Sequence, residues 1–247
     1  MTQIRSLPHP GPVRVLLLTD QHLVGEMIKL TLNHGAFLAR DTADVTQAVS
    51  LLQQWQPHMA VVDMDLEDGQ FLSHCGRDTG TQGLRPPVLA LTRRGELRTK
   101  LDAFDQGVDD IMTIPFSPEE LLARALVIAR RAYGEALPFA PVLRVGELQI
   151  DIVNRSVQVD DHELHLSSIE LTLLYLLAAN AGRIITRDEI LDALWGTDFT
   201  AESNIVDRHI RNLRIRLQNN WRHPRFIATI PGKGYRFIPH VTPELAD

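Results

Sequence analysis

Short apolar runs recur along the first half of the chain. Val13–Leu18, Met59–Val62, Val88–Leu91 and Ile111–Thr113 are dominated by Val, Ile, Leu and Met rather than alternating with polar residues. Runs of that kind suit strands covered on both faces, as in a parallel sheet. A weaker run, Ala36–Ala39, makes a fifth. Helix-length segments separate them. In one, Val45, Ala48, Leu52 and Trp55 fall on a single face at spacings of 3, 4 and 3. Ser117-Pro118-Glu119-Glu120 opens another, with Ser as N-cap, Pro at the first helical position and Glu closing a capping box, and that helix should run to about Arg131. Strand and helix alternating five times predict an α/β, doubly wound, five-stranded parallel sheet of flavodoxin-like type.

The pattern changes beyond Tyr133. Gly134, Pro138 and Pro141 break the helix and read as a linker. Leu143 to Leu166 alternates in short pieces, with turn signals at Asn154 and Asp160-Asp161, as an antiparallel meander does. Three helices follow. Ser167…Glu170 and Thr186…Glu189 have capping-box spacing, and the third helix should span Ser203 to Gln218. Phe226–Ile230 and Tyr235–Ile238, joined by Pro231-Gly232-Lys233-Gly234, read as a β-hairpin with a basic tip. The second half is therefore expected to be an α+β winged helix-turn-helix domain. The expected division is a flexible tail over 1–12, an α/β domain over 13–133, a linker over 134–141 and the winged-helix domain over 142–241.

Composition narrows the function classes. A length of 247 residues suffices for two modest cores, and 44% apolar with 23% charged residues is ordinary for a globular protein. No apolar run approaches the ~20 residues that span a bilayer, and the Pro-rich start lacks a secretory apolar region. A cytoplasmic location and no membrane partner are the resulting expectations. One cysteine, Cys75, excludes an internal disulfide framework and a thiolate metal site, and reads as a packed thiol. The histidines show no metal-ligand spacing. Gly232-Lys233-Gly234 is too short for a nucleotide loop.

The net charge of −6 conceals an asymmetry. Between Glu202 and Arg236 there are eight Lys and Arg but only two acidic residues. Spacing then gives this basic segment a direction. On the third helix Val206, Ile210, Leu213 and Leu217 form an inward stripe, while Asn204, Arg208, Arg211, Asn212 and Ile215 share the opposite face. Arg and Asn there supply donors suited to base edges, and flanking Arg groups suit phosphates, so double-stranded DNA is the expected partner. Lys233 at the hairpin tip would approach an adjacent groove or phosphate. In the first half, Asp20, Asp63 and Thr92 follow the first, third and fourth strands, at the end where such sheets bind ligands. A carboxylate pair beside a hydroxyl is a candidate for holding Mg²⁺ and for receiving a phosphoryl group on Asp63.

Ile205-Val206-Asp207-Arg208-His209-Ile210-Arg211-Asn212-Leu213-Arg214, then Gly232-Lys233-Gly234-Tyr235-Arg236-Phe237, together with Leu194-Trp195-Gly196, resemble the OmpR/PhoB family of response regulators. The resemblance implies a receiver domain joined to the winged helix. It implies that Arg208 and Asn212 face bases, and that His209, Arg211, Arg214, Thr229 and Tyr235 hold the DNA backbone. Trp195 would touch a phosphate, and the loop from Gly196 to Glu202 would meet RNA polymerase. Pro231 stands where many relatives carry a minor-groove Arg; Lys233 is the substitute at hand. In the receiver, Asp63 resembles the phosphoacceptor, Asp20 a metal carboxylate and Thr92 the switch hydroxyl.

That receiver departs from the pattern. Thr19 replaces one of two acidic residues, Ile114 the Lys that would bond phosphoryl oxygens, and Ile111 the switch aromatic. Losing a charge-assisted Lys contact removes ~1.5–3 kcal/mol. Asp65, Glu67 and Asp68 add negative charge nearby. The family's dimer face looks intact: Lys100 matches with Glu120, Asp110 with Arg124 and Asp109 with Arg131, around Leu101, Phe104 and Ala123. The expectation is a homodimeric, sequence-specific transcription regulator with weak or no dependence on phosphorylation, and not an enzyme. The alternative is a conventional regulator phosphorylated on Asp63 by a sensor histidine kinase. Two further readings stay open: a receiver acting as a phosphatase or phosphotransfer unit, and a receiver binding a small molecule in place of phosphate.

Overall fold

The computed structural model describes residues 12–32, 37–66, 70–75, 85–93, 97–133, 142–152, 154, 156–160, 162–196, 199 and 204–238. The linker and all but Pro12 of the N-terminal tail lie outside these residues. The described residues fall into two compact units, the first holding those up to 133 apart from 117–119, the second those from 142 onward.

In the first unit β1 (Val13–Leu18), β2 (Phe37–Thr42), β3 (Met59–Asp63), β4 (Val88–Thr92) and β5 (Asp110–Thr113) pair in the order β2-β1-β3-β4-β5, every pairing parallel. This is the five-stranded sheet that the apolar runs predict, with β2 running later than its signal suggested. Arg40 and Asp41 sit in β2, at an edge where an exposed face tolerates them. Between the strands lie α1 (His22–Leu32), α2 (Val45–Gln54), the short α3 (Phe71–His74), α4 (Leu97–Asp105) and finally α5 (Pro118–Tyr133). Leu16, Leu18, Ala60, Val62, Val88, Ala90 and Ile111 form one core with Ala48, Phe71, Leu72 and Ala103 of α2, α3 and α4. Alternation along each strand turns Leu17, Val61 and Leu91 to the other face, which α1 and α5 cover with residues such as Met27, Ile28, Leu122 and Ala125. On the α2 stripe only Ala48 is fully buried; Val45, Leu52 and Trp55 are half-buried.

The second unit opens with a four-stranded antiparallel meander, β6 (Val142–Val145), β7 (Leu148–Asp151), β8 (Ser156–Val159) and β9 (His162–His165). Then come α6 (Ser168–Ala179), β10 (Ile184–Ile185), α7 (Arg187–Trp195), α8 (Ile205–Arg216), β11 (Ile227–Ile230) and β12 (Gly234–Phe237). Both expected capping boxes form: Ser167 with Glu170 and Thr186 with Glu189 satisfy each other's backbone amides. Helix α6 is buried from Glu170 to Ala178 and forms the centre of this core, with Tyr175, Phe226 and Phe237 among its largest members. Helix α8 is shorter than its expected span by two residues at each end, because Asn204 acts as N-cap and Leu217 as C-cap.

The hairpin of β11 and β12 joins β10 in a three-stranded sheet. Gly234 makes this junction possible. At φ +149, a Cβ there would lie 2.0 Å from the Ile185 carbonyl oxygen, inside the strand it pairs beside. Among the described residues no helix is long and apolar enough to cross a membrane.

Candidate functional site

The inward stripe of α8 is buried at Val206, Ile210 and Leu213, which fixes the rotation of the helix. Arg208, Arg211, Asn212 and Ile215, at positions i, i+3, i+4 and i+7, are consequently exposed as one row. Asn204 is exposed at the start of the same helix, and Lys233 at the tip of the hairpin. The Lys233 amide donates to the Ile230 carbonyl at 3.0 Å, closing the tight turn that presents its side chain.

Other residues expected on the DNA backbone are engaged inside the domain. Arg214 is half-buried; its guanidinium donates to the Ile227 carbonyl (3.0 Å) and to Thr229 Oγ1 (2.8 Å) and sits 5.6 Å from the Tyr235 ring centre. Burial pulls its pKa below the usual arginine value, opposed by the Tyr235 hydroxyl. Tyr235 is only 4% exposed, and its hydroxyl donates to Asp207. Thus Arg214 and Tyr235 join α8 to the hairpin, whereas Thr229 keeps an exposed position. Arg187 completes this joint: it pairs with Asp207 at 3.0 Å and donates to the Tyr235 oxygen at 3.3 Å. Burial alone would raise the Asp207 carboxyl, but hydrogen bonds from Tyr235 and Arg187 outweigh it and hold it below the ordinary carboxylate value.

Trp195 and His209 pack on each other with ring centres 5.4 Å apart, and Phe199 stacks on Trp195 at 6.1 Å. Burial and the Arg208 charge depress the His209 pKa against an opposing pull from Glu170. Most of the loop expected to meet RNA polymerase lies outside the described residues; Phe199 within it is 40% exposed.

Two organising residues carried no local sequence signal. Asn219 is buried, and its Oδ1 accepts from the backbone amides of Arg225 (2.9 Å), Phe226 (2.6 Å) and Ile227 (3.2 Å). Arg225 bridges Glu147 and Asp160, tying the start of β11 to two turns of the meander. Their partners are 65 and 78 residues away for Arg225, a separation that no periodicity encodes.

In the first unit Asp63 ends β3 and is 1% exposed. Its Oδ2 accepts from Thr19 Oγ1 (3.3 Å) and Gln21 Nε2 (3.2 Å), and its Oδ1 from the Asp65 amide (3.0 Å). Burial raises its pKa; the Asp65 amide and Arg93 oppose that shift, while Asp65 and Asp20 add to it. Arg93 Nη2 lies 3.8 Å from Asp63 and Nη1 lies 3.7 Å from Asp65. A cation therefore does stand in this pocket, supplied from the end of β4 rather than from position 114, where Ile114 is buried. Thr92 is fully buried, with its hydroxyl 3.4 Å from Asp65 Oδ1. Asp20 is exposed.

The groups that meet the Asp63 oxygens are donors, from Thr19, Gln21 and the Asp65 amide. Among the described residues no cluster of three His, Cys, Asp or Glu could hold a metal ion. Cys75 is buried, and burial pushes its thiol up to about 12, as suits a packed thiol.

The expected dimer face is arranged differently from a set of purely interchain pairs. Arg124 binds Asp110 (2.7 Å) and Glu120 (2.8 Å) of its own chain, and Asp109 binds Arg85 (2.8 Å) and the Val88 amide (2.8 Å). Lys100 is half-buried and Arg131 exposed. Between them Leu101 (54%), Phe104 (44%) and Ala123 are exposed, joined by Leu97 (72%) and Val127 (44%) on the same helices.

Residues 15–126 match the response regulator receiver domain family, and residues 161–237 match the family described as transcriptional regulatory protein, C terminal. The chain is 32% identical over 227 residues to the phosphate regulon transcriptional regulatory protein PhoB of Escherichia coli (strain K12), covering 91% of this chain and 97% of that protein. It is 34% identical to the transcriptional regulatory protein TrcR of Mycobacterium tuberculosis over 93% of this chain and 88% of that protein. The crystal structure of DrrB, a Thermotoga maritima OmpR/PhoB homolog, shares 26% identity over 92% of this chain and 99% of its own, with a TM-score of 0.39. With both of its domains matched, and PhoB and TrcR aligned over most of their length, this chain belongs to the OmpR/PhoB family of response regulators and is a two-component, DNA-binding transcription regulator.

Proposed function

We propose that α8 enters the major groove and reads bases through Arg208 and Asn212. The supporting observation is the exposed row Arg208–Arg211–Asn212 held outward by a buried stripe. Asn204 and Arg211 flank it, and Lys233 reaches the neighbouring backbone or minor groove. Thr229 contacts phosphate beside them. Trp195 and His209 shape the surface where a phosphate would sit, while Arg214 and Tyr235 act by holding the hairpin against α8. Selection of bound duplexes from a random pool tests this: Arg208→Ala should lose preference at one base position, and an unchanged motif would refute it.

In this account the domains run over 13–133 and 142–241, joined by the linker 134–141. Two chains pair through α4, β5 and α5, setting two α8 helices on half-sites one helical turn (~10–10.5 bp) apart. Pairing has weak or no dependence on phosphorylation. Asp63 favours that reading: it is buried, its oxygens already accept three hydrogen bonds, and the usual Lys is Ile114. The exposed apolar patch of Leu97, Leu101, Phe104 and Val127 supplies the contact. The chain works in the cytoplasm, without enzymatic turnover, and contacts RNA polymerase through the loop over 196–202. Sedimentation of the full chain decides the matter. A dimer without phosphoryl donor supports the proposal; a monomer that pairs only with acetyl phosphate overturns it in favour of a conventional regulator served by a sensor histidine kinase.

A further inference from the structure

Asp65 does something that neither a solvated loop carboxylate nor a metal ligand would do. Its Oδ2 accepts the Arg93 backbone N–H at 2.7 Å, and its Oδ1 lies 3.4 Å from the Thr92 hydroxyl. Its own backbone N–H donates to Asp63 Oδ1 at 3.0 Å, so the chain folds back within two residues of Asp63 and delivers a negative charge to the end of β4. The Arg93 guanidinium lies 3.7 Å from Asp65 and 3.8 Å from Asp63, offsetting part of their charge. A hydroxyl, a backbone amide and a guanidinium converging beside a buried carboxylate make an anion-binding arrangement. Asp65 occupies it from within.

We propose that Asp65 is a positioning residue that stands in for a phosphoryl group. It holds Thr92 and the Arg93 amide in the positions that a covalently attached anion on Asp63 would demand. An incoming phosphoryl group would need these same donors and would meet a like charge. This rests on the proposed phosphorylation-independent pairing, and explains how the α4–β5–α5 face stays in its pairing arrangement with Asp63 unmodified.

The test uses the full chain as wild type, Asp65→Ala, Thr92→Ala and the double variant, without phosphoryl donor. Sedimentation equilibrium reads the dimer dissociation constant, and ¹H–¹⁵N spectra read the Arg93 amide. Asp65→Ala should weaken the dimer by about tenfold, an ordinary coupling between two sites, and shift the Arg93 amide proton upfield. Thr92→Ala should weaken it in the same direction, and the double variant no further than Asp65→Ala alone, since the Thr92 contribution passes through Asp65. Asp65→Asn keeps the shape without the charge, and should weaken the dimer in the same direction should the alanine variant fail to fold. A wild-type dimer that the Asp65 variants leave intact overturns this proposal alone, as do fully additive effects. A wild-type chain that is monomeric until acetyl phosphate is added overturns the phosphorylation-independent reading, and this proposal with it.

Discussion

At the scale of single residues, chemically similar side chains have been given different work by what lies behind them. Arg208 and Arg214 sit on one helix, yet the first is exposed and the second donates to Ile227 and Thr229. Arg208→Ala should cost ~1–3 kcal/mol of discrimination at one base position with stability unchanged. Arg214→Ala should instead lower the unfolding free energy by about 1–2 kcal/mol, read by chemical denaturation, because it leaves the Ile227 carbonyl without that donor. Helical spacing shows which face Arg214 occupies but is silent on acceptors arriving from β11, so its bonds to Ile227 and Thr229 could not be read from the sequence, where the family resemblance alone gave Arg214 and Tyr235 their backbone roles. Asp63 gives a pH test. Its folded pKa is raised, so protonation favours the folded state: the benefit is full below the unfolded pKa of ~3.9 and is lost as pH rises through the folded value. Asp63→Asn should therefore stabilise the protein at pH 7, and the gain should vanish in acid; equal melting temperatures at pH 7 would contradict this.

At the scale of elements, most of the architecture was legible because the signals are local. Parallel strands announce themselves as unbroken apolar runs, and Ser167, Glu170, Thr186 and Glu189 specify two helix starts through bonds three residues long. β10 was not legible. A strand of two residues, Ile184–Ile185, has no period, and it exists because Gly234 lets β12 lie against it. The hairpin tip is a separable element, since Lys233 is exposed and its turn is closed by backbone alone. Lys233→Ala should weaken binding to all duplexes alike and reduce the slope of log affinity against log salt by about 1. An unaltered slope would remove the tip from the interface. On α4, Phe104→Glu places a charge within the exposed apolar patch, and should convert a dimer to monomer in sedimentation while leaving the melting temperature close to wild type.

At the scale of the whole molecule, the receiver leaves Leu97, Leu101, Phe104 and Val127 exposed on α4 and α5, while its acidic pocket is filled by its own side chains: Thr19, Gln21 and Arg93 around Asp63, and Asp65 against Thr92. The sequence disclosed the lost Lys and the added acids, but not that Arg93 would restore a cation from the next strand, because that contact depends on the β3–β4 pairing. On the proposed phosphorylation-independent reading, such a regulator would occupy its promoter according to its own concentration. The most direct measurement of the central claim is duplex selection from a random pool with the full chain, repeated across salt concentrations and with Arg208→Ala. The account predicts a defined motif with paired half-sites, affinity falling steeply with salt, and one degenerate position in the variant's motif. Absence of salt-sensitive affinity for any duplex, or an identical motif from the variant, would contradict it.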